Sequence, residues 1–197
     1  MENKMTFGQY RVIDLAIFTV LAAVFECIAT FATSRWFSGQ PVAISITLTL
    51  ILITMHRWGP YAAVVAVAGG IAFCFSSGAS AEHYLVYAVG NMFALVSLVY
   101  FRIFGKEGVK NSFLKTLLYA ATAYVSVALG RWLVSLPFGA GADELLAFLL
   151  TDLITLLFAV VILYTTRRTD GLVEDQRQYV IRINDEKKEP DVTSYDD

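Results

Sequence analysis

The chain has 197 residues, 57% of them hydrophobic and 16% charged, with a formal net charge of −2. A soluble domain carries roughly 45–50% apolar and about 25% charged residues, so this composition belongs to an integral membrane protein. The slight acidic balance and the lack of a basic face exclude nucleic-acid binding as the main role.

Charges are sparse from Val12 to Thr166 and dense in the last thirty or so residues. The apolar windows between are long enough to cross a bilayer, for which roughly 20 residues suffice. The first predicted span runs from Val12 to Thr33. It is too long for a signal-peptide core and lacks a small-residue cleavage site, so it reads as a retained span. The second, Val42 to Met55, is short. The third covers Pro60 to Phe75, the fourth Tyr84 to Phe104, the fifth Phe113 to Leu136 and the sixth Leu145 to Thr166. Turn-forming clusters separate them: Ser38-Gly39-Gln40-Pro41, His56 to Pro60, Ser76 to Ser80, Gly105 to Gly108 and Pro137 to Gly141. The expected fold is an all-α bundle of six transmembrane helices.

Lys and Arg orient the bundle, because cytoplasmic loops carry them in excess. Lys4, Arg11, Arg57, Arg102, Lys106, Lys110, Lys115, Arg167 and Arg168 fall on one side, and only Arg35 lies in a loop on the other. Six spans then leave both termini in the cytoplasm of a cell membrane. The domain plan is a cytoplasmic N-terminus over 1–10, a membrane domain over 11–166, a cytoplasmic amphipathic helix over 167–184 and a disordered acidic tail over 185–197. In the tail, Leu172, Val173, Gln176, Tyr179, Val180 and Ile183 share one helical face, which predicts a helix from about Leu172 to Ile183.

Small residues recur at helical spacing, as Ala62, Ala66 and Gly70 on the third span, Thr122, Ser126 and Gly130 on the fifth, and Thr19 with Ala23 on the first. Such stripes let helices approach closely in lipid. They read as bundle packing, or on the first span as a docking face for a membrane partner.

Ionisable side chains inside the hydrocarbon are costly and face a cavity or a partner. Counting about 1.5 Å per residue from the outer ends puts Glu26, Asn91 and Asp152 at a similar depth, with Arg131 somewhat shallower. Two readings follow. One is a structural network in which Arg131 pairs with Glu26 or Asp152. The other is an outward-opening site for the polar atoms of a small solute, walled by aromatic residues such as Trp36, Tyr87 and Trp132. Asp14 reads as an interfacial partner of Arg11, one turn away. Cys27 and Cys74 have no metal-ligand spacing, and neither a nucleophile elbow nor a phosphate loop occurs, so no metal site and no enzyme is expected.

Six apolar helices in under 200 residues, the first helix Leu15-Ala16-Ile17-Phe18-Thr19-Val20-Leu21-Ala22-Ala23 and the outer polar positions resemble the substrate-binding (S) component of energy-coupling factor transporters. The resemblance covers Arg11 to Thr166. It implies capture of a vitamin or related micronutrient as transported ligand, with no covalently bound cofactor. It also implies partnership with a transmembrane coupling subunit and two ATPase subunits, and movement of the whole component within membrane lipid. Family members often carry an AxxxA pattern on the first helix; the nearest equivalent here, Thr19 with Ala23, would be the docking face. The alternative is a non-transporting membrane scaffold of MreD-like type, whose polar cluster would be fully self-paired.

Overall fold

A computed structural model describes residues 6–36, 44–169 and 171–186, all helix, turn or coil with no strand among them. The helices are α1 (Phe7–Trp36), α2 (Thr47–Trp58), α3 (Ala63–Ser77), α4 (Ala81–Met92), α5 (Val99–Phe104), α6 (Lys106–Asn111), α7 (Phe113–Ser135), α8 (Ala142–Thr151), α9 (Leu153–Thr166) and α10 (Gln176–Glu186). A tighter 3₁₀ stretch, Phe93–Leu98, joins α4 to α5 without interrupting the leg.

By length and composition, four helical runs can cross a membrane, or five if α8 and α9, bent by 42°, count as one span. The six separate spans expected are not returned by that measure, because Thr47–Ser77 forms one run of 31 residues. That run nevertheless folds back on itself. Gly59, with φ +60°, ends α2, and Pro60 opens the following 3₁₀ turn. A Cβ built on Gly69 of α3 would lie 2.2 Å from Cγ2 of Thr47 at the start of α2. Residues 22 apart in a straight helix would be about 33 Å apart, so α2 and α3 form an antiparallel hairpin.

α2 is the hub of the bundle. Each of its 12 residues is buried, and it packs against α1, α3, α7, α9 and the 3₁₀ stretch after α4. At 1.5 Å per residue it is about 18 Å long, well short of a hydrocarbon core of about 30 Å. The amphipathic periodicity expected of a peripheral helix is absent from its burial because neighbours surround it. Tyr119 on α7 donates its hydroxyl to the Leu52 carbonyl at 3.0 Å, fastening α7 to this hub. The Ala62 and Ala66 positions of the predicted stripe are fully buried, and Gly70 meets the backbone of α4 at Tyr87.

One end of the bundle, here called the base, collects the start of α1, the α2–α3 turn, the α5–α6 connection and the segment after α9. Asp14 does not pair with Arg11. Its carboxylate accepts from Arg57 Nε at 2.8 Å and Nη2 at 2.6 Å, and from the Trp58 indole at 2.5 Å. Arg11 instead stacks over Tyr61, 4.2 Å from the ring centre. A residue one turn away points along the helix surface, whereas Asp14 faces inward, where only the α2–α3 turn can reach it.

Arg57 also donates Nη1 to the carbonyls of Gly171 and Leu172. Gln176, wholly buried, donates to the Gly171 carbonyl at 2.8 Å and accepts from the Tyr10 hydroxyl at 2.8 Å. The tail is thus strapped under the bundle. Its helix begins at Gln176 rather than Leu172 and continues through Glu186, because 171–175 form the turn that these bonds hold. Residues 187–197, most of the predicted disordered segment, lie outside the described residues. α1 likewise starts at Phe7, five residues before the predicted span.

Lys106 pairs with Asp175 at 2.5 Å across the base. Partial burial pushes the Asp175 carboxyl up, but the Lys106 ammonium and the Arg177 backbone N–H overcome this and hold it below the usual carboxylate range. A depressed folded-state value stabilises the strap above the unfolded carboxylate pKa of about 3.9 and is lost as pH falls through the folded value. Lys106→Met is therefore expected to lose only about 0.2–1 kcal/mol at neutral pH, the range for an exposed pair. Limited proteolysis between α9 and α10 should become faster in this variant. The wild type should approach the same rate under acid conditions, and a rate insensitive to both changes would contradict the strap.

Candidate functional site

Towards the opposite end, the head, polar groups converge inside the bundle. Glu26 on α1 is 1% exposed. Its Oε2 accepts from Ser45 Oγ at 2.8 Å, Thr47 Oγ1 at 2.7 Å and the Thr47 N–H at 3.3 Å. The same segment is tied to the last leg, since the Ser45 N–H donates to Thr155 Oγ1 at 3.0 Å. These hydroxyls satisfy a carboxyl that lipid would leave without partners.

Arg131 on α7 reaches two other legs, α4 and the α8–α9 leg. Nε and Nη2 both donate to Asn91 Oδ1, at 3.0 and 2.8 Å, and Nη1 pairs with Asp152. Asn91 in turn donates Nδ2 to the Ala66 carbonyl at 3.3 Å. The Tyr87 ring sits 4.4 Å from the guanidinium carbon and stacks on Phe73 at 4.5 Å. Gly90 makes this approach possible: a Cβ there would lie 2.8 Å from the Arg131 backbone.

Asp152 occupies the break between α8 and α9, with φ −95° and ψ 10°. A break at this depth frees backbone carbonyls, and one of them, Leu149, is taken by the Tyr124 hydroxyl. Unwound backbone inside a membrane is tolerated only where protein or a water-filled cavity satisfies it. A void of about 10 Å³ is lined by Glu26, Tyr87, Asn91, Arg131 and Asp152 together with Ser45, Thr47, Gly69 and Phe73. A second, of about 20 Å³, adjoins it beside Tyr124, Phe148 and Thr155. The larger has room for about one water molecule.

Five of the sequence-predicted residues therefore meet: Glu26, Tyr87, Asn91, Arg131 and Asp152. The others do not. Trp36 is 78% exposed at the end of α1, and Trp132 donates its indole N–H to the Gly141 carbonyl at 3.0 Å, bracing the loop before α8. The predicted turn cluster from Ser38 to Pro41 falls on 37–43, outside the described residues. Thr19 returns its hydroxyl to the Leu15 carbonyl at 2.7 Å. Thr19 and Ala23 are half-buried, while the exposed ridge of α1 is Ile17, Val20, Val24, Ile28 and Phe31.

Sequence reasoning missed Ser45, Thr47, Tyr124, Phe148 and Thr155. The hydroxyls of Ser45-Ile46-Thr47 before a short apolar run were a usable signal, since buried hydroxyls seek acceptors. Nothing in the sequence ties Tyr124 to a carbonyl freed by a break 28 residues later. Among the described residues, no three His, Cys, Asp or Glu side chains gather to hold a metal ion. Comparison with family models, with curated proteins and with solved structures finds no match for this chain.

Proposed function

We propose that the protein is a membrane-embedded solute-capture subunit, the S component of an energy-coupling factor transporter, with six legs through the cell membrane and both termini cytoplasmic. One observation carries this reading: five polar or aromatic side chains from four legs line one void, and one of them, Asp152, sits at a break in the last leg. Broken helices at mid-membrane are where transporters place substrate sites.

The solute is a vitamin or related micronutrient arriving at the head. Its polar atoms compete with Asp152 and Asn91 for the guanidinium N–H groups of Arg131, and Glu26 holds the Ser45–Thr47 segment in place. A void of this size admits no such solute while closed, so capture requires α8 to swing about Asp152. Energy comes from a transmembrane coupling subunit and two ATPase subunits, with the α1 surface around Thr19 and Ala23 as the docking face.

The test is native mass spectrometry and absorbance on the full chain purified in mild detergent, followed by thermal shifts across a vitamin panel. A stoichiometric small molecule, or a specific shift, supports capture. A second reading draws on the closure of the same network: Arg131, Asn91 and Asp152 satisfy one another, as a non-transporting MreD-like scaffold requires. Empty protein with no shift favours that scaffold.

A further inference from the structure

A wider, open pocket at the head is distinct from the void that carries the proposal above. A cavity of about 220 Å³ lies between the start of α4, the turn after α7 and α8, lined by Glu82, His83, Val86, Ser135, Phe138, Ala140, Glu144 and Phe148. Phe148 also lines the 20 Å³ void beside Arg131 and Asp152, and its ring meets Tyr87 edge-on at 6.2 Å. Phe148 is the lining residue that the outer cavity and the void beside Arg131 share.

The sign of the cavity follows from its charges. Neither Glu82 nor Glu144 has an ion-pair or hydrogen-bond partner among the described residues. His83 shares its Nδ1 with Ser80 Oγ at 2.7 Å. No Lys or Arg lines the cavity, and 37–43, the outer segment not described, carries no charge. Both glutamates occupy the first turn of a helix, where each helix end offsets about half a charge. With Asp143 also in the first turn of α8, the carboxylates outweigh the two helix ends and the mouth is net negative. Phe138, Phe148 and Val86 supply apolar walls, and aromatic faces attract cations as well.

We propose that this cavity receives a small organic cation that also carries a hydrogen-bond acceptor, such as a charged heterocycle with a flat apolar body, before Phe148 moves aside. The inference rests on the capture reading and names the charge class of its solute. Its cationic group lies between Glu82 and Glu144, and its ring lies against Phe138 and Phe148. The space falls below the roughly 300 Å³ at which ligand pockets usually begin, which limits the solute to one small ring.

The test uses the full chain in uncharged detergent with three fluorinated probes of one shape, 4-fluorobenzylamine, 4-fluorobenzyl alcohol and 4-fluorobenzoate, titrated by fluorine NMR. The amine is expected to bind saturably, at least tenfold tighter than the alcohol or the benzoate. Combining Glu82→Gln with Glu144→Gln should weaken the amine at least tenfold and leave the other two unchanged. Both residues are at least partly exposed, so the double variant should keep the helical circular dichroism of the parent. Equal binding of all three probes, amine binding that survives the double variant, or no amine binding overturns the inference. Native mass spectra of the same preparation separate the two readings. A bound neutral or anionic solute removes only the cation assignment, whereas empty protein that also ignores the amine removes both.

Discussion

Arg131→Met is expected to destabilise the bundle by about 3–5 kcal/mol, the cost of leaving one member of a buried ion pair alone. Asp152 would lose its ion-pair partner beside a void with room for only about one water molecule, and Asn91 Oδ1 would lose both of its Arg131 donors. The measurement is the denaturation midpoint in a detergent–SDS titration, followed by helical circular dichroism. Combining Arg131→Met with Asp152→Leu should recover most of the loss, because an apolar pair of similar volume is often neutral or better. About 1–3 kcal/mol should remain for the unsatisfied Asn91. A single variant as stable as wild type would mean that the network does not form. The double variant is also a useful background for solute binding, since it removes the Arg131–Asp152 pair while keeping the fold.

Asp14→Ala should produce the other large effect, again about 3–5 kcal/mol, through the base. The substitution strands Arg57, 7% exposed, and removes the acceptor of the Trp58 indole. Arg57 still has the Gly171 and Leu172 carbonyls, which puts the expectation towards the lower end. The same variant should speed proteolysis after α9 more than Lys106→Met does, since Arg57 holds both α1 and the tail turn. Arg11→Ala is the control. Its guanidinium only covers the Tyr61 ring, a contact worth about 0.5–1 kcal/mol. Equal losses in Asp14→Ala and Arg11→Ala would restore the local pair that adjacency implies.

These two sites show where sequence reasoning succeeds and stops. Membrane character follows from composition, because a run such as Leu15 to Ala23 has few other environments open to it. Depth counting brought Glu26, Asn91, Arg131 and Asp152 to one level because helical rise is regular. It could not say which side chains face each other, since rotation about a helix axis depends on its neighbours. Arg131 pairs with Asp152 and Asn91, while Glu26 is satisfied by Ser45 and Thr47. Trp36 and Trp132 share the head with the cluster but not its azimuth. The Asp14–Arg57 pair was illegible for a related reason: it depends on the α2–α3 turn reaching the foot of α1, a fact of tertiary structure. The break at Asp152 also left no local mark, for neither Gly nor Pro lies between Ala142 and Thr166.

The fully enclosed α2 has a consequence for biosynthesis. A translocon tests each emerging segment against lipid, and charged residues at the centre of a helix weigh against its partition. α2 is about 18 Å long and carries Thr47, Thr49, Thr54, His56 and Arg57, with no face reserved for lipid. Alone it is a poor candidate for lateral release. α3 follows within four residues of turn, has apolar residues such as Val64, Ile71 and Phe75 on its exposed side, and covers Thr47 with Gly69. The two helices thus form one insertion unit, in which the later helix provides the lipid-facing surface that the earlier one lacks.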